Sequence, residues 1–123
     1  MKKLLLFLIL TFTTLNVHAE WLLIVESENG HKYYVETDSV KYNGKLVSYW
    51  QLDDYLNKEK HTSTKNKKQN NCTTDEFKID SQIDYSGKMG GGDVIEMKQG
   101  GPWKPIVPET VGEILHKFVC NKK

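Results

Sequence analysis

Two cysteines constrain this chain more than any other feature. Cys72 and Cys120 are the only ones among 123 residues, and whether they join depends on the compartment in which the chain folds. The N-terminus speaks to that. Met1-Lys2-Lys3 is a short basic start, Leu4 to Phe12 is almost unbroken apolar residues, and Val17-His18-Ala19 sets small or modest side chains ahead of Glu20. This is the three-part layout of a secretory signal peptide cut after Ala19. The run from Leu4 to Leu15 holds three threonines and falls short of the ~20 residues that a membrane span needs. The expectation is therefore a leader over 1–19, a mature domain over 20–123, and no transmembrane anchor after cleavage. A lipoprotein would carry a cysteine directly after the cut, where Glu20 stands, so no lipid anchor is expected either. In an oxidising space two cysteines of a small domain are most simply a pair; two free thiols or an intermolecular bridge are the rival readings.

Removing 19 of the 123 residues leaves 104, enough for one domain and not two. Loss of Lys2 and Lys3 takes 17 Lys+Arg to 15, against 16 Asp+Glu, a formal charge of −1. A nearly neutral chain is a poor general nucleic-acid binder. Every cationic side chain other than histidine is lysine, with no arginine anywhere, so bidentate capture of carboxylate or phosphate is not on offer.

The mature chain begins with a β-rich run, Trp21 to Val25, ended by Asn29-Gly30, a two-residue hairpin signal because both positions tolerate positive φ. His31 to Val35 reads as the return strand. Asn43-Gly44 signals a second hairpin, and Lys45 to Leu56 follows with apolar groups on both parities: Leu46, Trp50 and Leu52 against Val47, Tyr49 and Tyr55. A strand apolar on both sides is a central one. From Asn57 to Asn71 apolar residues vanish, which predicts a loop or a polar edge strand whose lysines discourage pairing. Phe77, Ile79, Ile83 and Tyr85 then alternate with Lys78, Asp80, Gln82 and Asp84, the period of a strand with one buried face; Ser81 is its one polar break. Gly87 to Gly92 is a flexible turn. Without a Gly-Lys-Ser/Thr ending it is no phosphate loop.

The C-terminal segment predicts the one helix. Thr110 and Glu113 have the spacing of a capping box, and Val111, Ile114, Leu115, Phe118 and Val119 form an apolar stripe at 3.6-residue spacing. Cys120 falls off that stripe, which predicts a helix ending near Val119 with Cys120 turned back toward the sheet. Trp50 and Phe118 are the expected sheet-to-helix contacts. The fold class that results is α+β: an antiparallel sheet of about six strands with one C-terminal helix packed on one face.

The order Trp21…Glu26-Ser27…Gly30…Tyr33-Tyr34-Val35, then Val47-Ser48-Tyr49-Trp50-Gln51-Leu52 with Asp54-Tyr55, resembles the surface-adhesin protein E family of Gram-negative bacteria. Ser63-x-Lys65 ahead of Cys72, Tyr85-Ser86-Gly87-x-Met89-Gly90, Trp103-x-Pro105-Ile106-x-Pro108, Val111-Gly112-Glu113 and Phe118-Val119-Cys120 extend the likeness over essentially the whole mature chain. The resemblance implies a curved antiparallel sheet with the helix tethered to it by the disulfide, and an adhesin that contacts host matrix or serum proteins of the laminin or vitronectin type, with a possible homodimer. Asn66, Lys68 and Asn70 depart from it. They stand where a strand before the first cysteine would alternate apolar residues, so that strand is expected to be frayed or exposed on one face.

Chemistry is sparse. Lys58, Lys60, Lys65, Lys67 and Lys68, opposed only by Glu59, form the one charge cluster and the candidate binding patch for an acidic protein stretch, a sulfated glycan or anionic lipid headgroups; the plain alternative is a solvated face. His31, His61 and His116 show no metal or nucleophile spacing. Asp53 and Asp54 are adjacent, so in a strand they point to opposite faces and cannot share a proton or metal. No cofactor, metal or catalytic site is expected. Two functional readings remain: an exported adhesin-like binding domain, or a periplasmic or secreted envelope protein that binds a bacterial partner or acts as an inhibitor. Both place the protein in the periplasm, at the outer-membrane surface or outside the cell.

Overall fold

The computed structural model describes residues 20–56 and 61–121; the leader expected over 1–19 lies outside them. Eight strands form one sheet: β1 (Trp21–Glu26), β2 (Lys32–Glu36), β3 (Lys41–Asn43), β4 (Leu46–Asp54), β5 (Ser63–Asn71), β6 (Glu76–Tyr85), β7 (Val94–Gln99) and β8 (Lys104–Pro105). One α-helix among the described residues, α1 (Val111–Cys120), follows. The main path runs β1-β2-β4-β5-β6-β7, with β3 beside β4 and β8 beside β6, and all pairs are antiparallel. The expected six-strand sheet is thus present, with two short strands added. Gly30 at φ +84° and Gly44 at φ +60° sit in the two predicted hairpins. The first hairpin is wider than a two-residue turn: Glu26 pairs with Lys32, and the Ser27 N–H donates to the His31 carbonyl.

The core lies between α1 and one face of the sheet, where Val35, Val47 and Tyr49 meet Leu115 and Val119. Trp50 is one residue out of phase with Tyr49 and therefore lies on the opposite face, not under the helix as its size suggested; Phe118 does pack on this core. Thr110 caps α1 as predicted, its Oγ1 accepting from the Glu113 N–H at 3.3 Å. The reciprocal bond goes one residue further out, from the Glu109 N–H to Glu113 Oε1 at 3.5 Å.

Cys72 and Cys120 are joined, with Cα atoms 5.6 Å apart. The helix does not end before Cys120; that residue is its last. Of the predicted apolar stripe, Val111, Leu115, Phe118 and Val119 do pack on the core, and Ile114 is the exception. Ile114 is 46% exposed, whereas His116 is buried beside Leu115 and Val119. The helix is rotated so that the flank bearing His116 and Cys120 faces the sheet, and Cys120 reaches Cys72 without leaving the helix. A hydrogen bond between Asn70 Nδ2 and His116 Nδ1 at 2.9 Å makes that rotation tolerable, because a histidine enters a core cheaply only when its ring nitrogens are bonded. Asp75 Oδ1 takes the other nitrogen at 3.0 Å.

Strand β5 overturns the expectation of a loop or edge. It is nine residues long and paired along its whole length on both sides, to β4 and to β6. Asn66, Lys68 and Asn70, between 1% and 6% exposed, are buried, as are Ser63 and Thr64 at its start. Strand β6 corrects a second reading. A register shift places Ile79 opposite Lys68 and Ser81 opposite Lys67, with Asp80 unpaired between them. One extra residue flips every side chain beyond it to the other face. Phe77 and Ile79 therefore face the helix side, while Ile83 and Tyr85 face away, and their shared parity does not make one buried face.

Candidate interaction surface

The two sheet faces differ in kind. On the helix side a chain of polar groups continues the core sideways. Tyr49 donates to Asn70 Oδ1 at 2.9 Å, Lys68 Nζ to Gln51 Oε1 at 3.0 Å, Gln51 Nε2 to Asp53 Oδ1 at 2.6 Å and Asn66 Nδ2 to Asp53 Oδ2 at 3.2 Å. Tyr55 adds a long contact to Asp53 Oδ2 at 3.4 Å. Burial raises the Asp53 pKa, offset in part by the bond from Gln51 and the charge of Lys68. Burial also pushes the Lys68 ammonium down to about 8, against the pull of Asp53, and raises the Tyr49 and Tyr55 phenols well above their ordinary range. Shifted groups of this kind often mark active sites. Here the oxygens of Asp53 are taken up by side chains of the same sheet, and the arrangement reads as a structural network that replaces apolar packing. Asp54, as its position requires, points the other way and accepts from the Met89 N–H at 3.1 Å. The described residues contain no group of three or more metal-ligating side chains.

Among the described residues no α-helix lies over the other face; a 3-10 turn, Lys88–Gly90, packs on its end by Asp54 and Ser63. Strands β1, β4, β5 and β6 present Trp21, Trp50, Lys65, Ile83 and Tyr85 around one shallow depression, with Glu36 on its rim. All six are half-buried. Lys65 Nζ lies 5.3 Å from the Tyr85 ring centre and 5.8 Å from that of Trp21. Lys67, two residues along β5, is exposed on the same face and lines the neighbouring hollow with Trp50 and Lys41. The five-lysine cluster is therefore not one patch. Lys65 and Lys67 share the helix-free face, Lys68 is buried on the opposite one, and Lys58 and Lys60 lie outside the described residues. Charge density along the sequence missed the aromatics that accompany Lys65. The strand parities of Trp50 and Lys65 are the signal that could have found them, once β5 is read as a strand.

The sequence matches the model of the surface-adhesin protein E family over residues 21–121. The chain belongs to that family. Solved structures of Haemophilus influenzae protein E share its fold: crystal form II is 17% identical, with 86% of this chain and 91% of that one covered at a TM-score of 0.66. Another structure of protein E from H. influenzae, 19% identical, covers 86% and 87% at 0.63, and protein E from a non-typeable strain, 18% identical, covers 87% and 79% at 0.60. Among curated protein sequences none matches this chain significantly. The expected α+β class and the disulfide linking helix to sheet agree with this family fold. A surface-adhesin family is a family of exported binding proteins, and no helix among the described residues is long and apolar enough to cross a membrane.

Proposed function

We propose that the mature chain is a non-catalytic adhesin domain that contacts host matrix or serum proteins, of the laminin or vitronectin type, through its helix-free face. The observation that carries this reading is the gathering of Trp21, Trp50 and Tyr85 around Lys65 on the sheet face opposite α1, where among the described residues the turn at Lys88–Gly90 packs on the Ser63–Lys65 end of β5. A few residues dominate the binding energy of protein interfaces, and Trp and Tyr are enriched among them. The family supports the adhesin role. In the test, the mature protein and a Trp21→Ala/Trp50→Ala variant are passed over immobilised laminin and vitronectin. The expected loss is about 30-fold or more, corresponding to a hot spot of about 2 kcal/mol, with folding checked by circular dichroism. Equal binding by a folded variant would move the contact elsewhere. Protease treatment of intact cells, beside an outer-membrane-permeabilised control, tests display; protection in intact cells would favour the periplasmic or secreted reading with a bacterial partner.

A second copy of the chain is the further partner we propose, at the β7 edge. Val94, Ile95 and Met97 there are half or more exposed, and β7 pairs only with β6 among the described strands. Exposed apolar edges invite another strand. Two copies related by a two-fold axis at Met97 would set Glu96 opposite Lys98 twice, a favourable cross-strand pair. Replacing Met97 with Pro is expected to leave a monomer in analytical ultracentrifugation if this edge is the interface.

A further inference from the structure

Lys65 is held in a way that points to a ligand class. Its stem is pressed from outside by Gly90, which has φ +73° and where a methyl group would collide with Lys65 Cε at 2.5 Å. Gly90 is itself anchored by its N–H to Ser63 Oγ at 2.9 Å. Trp21 and Tyr85 flank the ammonium on the sheet side. No carboxylate of the described residues forms an ion pair with it, although Glu36 lines the same depression. The result is a cation whose stem is confined by Gly90 and whose ammonium lies between ring faces, with no ion-pair partner among the described residues. Ordering a free lysine on binding costs rotamer entropy, and much of that cost is already met here.

We infer that this depression is a binding site for a carboxylated sugar, resting on the reading of the helix-free face as the binding face. The carboxylate pairs with Lys65 Nζ, the apolar side of the pyranose ring lies on Trp21 or Trp50, and Glu36 accepts from ring hydroxyls. The composition of the hollow decides against the other anions. A flexible acidic peptide has little to place on three aromatic rings, and a heavily sulfated sugar would set its extra charges against Glu36 with one fixed ammonium to meet them. A single carboxylate on a rigid, half-apolar ring uses every group present. Sites for small ligands are generally of this make-up, mostly apolar and aromatic with a few placed polar groups.

The test titrates the 15N-labelled mature protein with an unsulfated glucuronate-containing tetrasaccharide, with the same tetrasaccharide after reduction of its carboxylates to alcohols, and with a tetraglutamate peptide. The first is expected to move the Trp21 and Trp50 indole signals and the amides around Lys65, saturably. The reduced sugar is expected to bind about fivefold more weakly or worse, the size of one half-exposed charge pair. Lys65→Gln is expected to bring the intact sugar down to the level of the reduced one, with Lys65→Arg restoring part of the difference. Gly90→Ala, which displaces the lysine stem but keeps its charge, is expected to weaken binding while leaving the rest of the spectrum in place. No saturable shift, equal binding of the reduced sugar, or equal binding of tetraglutamate would each overturn the assignment. Laminin or vitronectin binding that survives Lys65→Gln and fails in Trp21→Ala/Trp50→Ala would leave the adhesin reading standing and this one refuted.

Discussion

Replacing Cys72 and Cys120 together with alanine is expected to lower the unfolding free energy of the mature domain by about 4 kcal/mol. The bridge closes a loop with a sequence separation of 48, and the chain-entropy relation gives about that much for a loop of this length. A domain of this size has roughly 5–15 kcal/mol in total, so the variant should be folded at 25 °C but marginal at 37 °C. The loss should also be uneven. Without the bridge α1 keeps the packing of Leu115 and Val119, flanked by Val111 and Phe118, on Val35, Val47 and Tyr49, the Tyr42 Oη bond to the Val119 carbonyl at 2.8 Å, and the His116 bonds to Asn70 and Asp75. Gly112 in its first turn lowers its intrinsic propensity by about 1 kcal/mol relative to alanine. Hydrogen exchange should therefore show the α1 amides losing more protection than those of β4 and β5. Urea unfolding measures the total. A loss under 1 kcal/mol, or uniform loss of protection, would mean that the helix is held by its contacts and the bridge is incidental.

The parts of this fold that could be read from the chain are those in which local chemistry and tertiary need agree. Asn29-Gly30 and Asn43-Gly44 mark hairpins because the backbone there needs positive φ, and Thr110 caps a helix wherever that helix packs. The errors have two origins, a buried strand that is polar and a one-residue bulge. Strand β5 carries Asn66, Lys68 and Asn70 where a buried strand ordinarily has apolar residues, so hydrophobic periodicity has nothing to detect. Their suitability becomes visible only once Gln51, Asp53, Tyr49 and His116 are placed opposite them. The same polar column explains the helix phase, since His116 is drawn inward by Asn70 and Ile114, the better apolar residue, is left outside. The flip within β6 rests on a single unpaired residue, Asp80, whose Oδ2 accepts from Gln69 Nε2 at 2.7 Å. Nothing in an alternating run announces such a bulge. The candidate site inherits these errors: reading Lys65, Lys67 and Lys68 as one patch requires a loop, and a strand sends the third to the other face.

Lys68 supplies the second large effect, which is a dependence of stability on pH. The residue is 6% exposed, and its ammonium donates to Gln51 Oε1 and lies 4.6 Å from the Phe77 ring centre. Burial lowers its pKa from 10.5 to about 8. A lowered lysine pKa means that between about pH 8 and 10.5 the unfolded chain holds the proton and the folded chain has released it. Stability must then rise with pH across that window, at up to about 1.4 kcal/mol per pH unit and about 3 kcal/mol over the whole of it. The tyrosines work against this at the alkaline end. The phenols of Tyr33, Tyr49 and Tyr55 have raised pKa values in the fold, so the stability they contribute is present below pH 10 and lost above it. Asp53 acts at the acid end with the sign of a raised carboxyl: its contribution is full below pH 3.8 and lost as pH rises through its folded value. The urea midpoint of the wild-type domain should thus climb between pH 8 and 10 and turn over beyond. In Lys68→Met, which keeps the stem packed on Phe77 and Tyr49, the climb should vanish. The slope decides the matter better than stability at one pH, because the substitution also strips Gln51 of a donor and Asp53 of its nearest cation, at a cost of about 1–3 kcal/mol for the group left unbonded. A wild-type midpoint that stays flat from pH 7 to 10 would show that water reaches Lys68, and the polar column of β5 would then be a hydrated channel between sheet and helix and not a packed one.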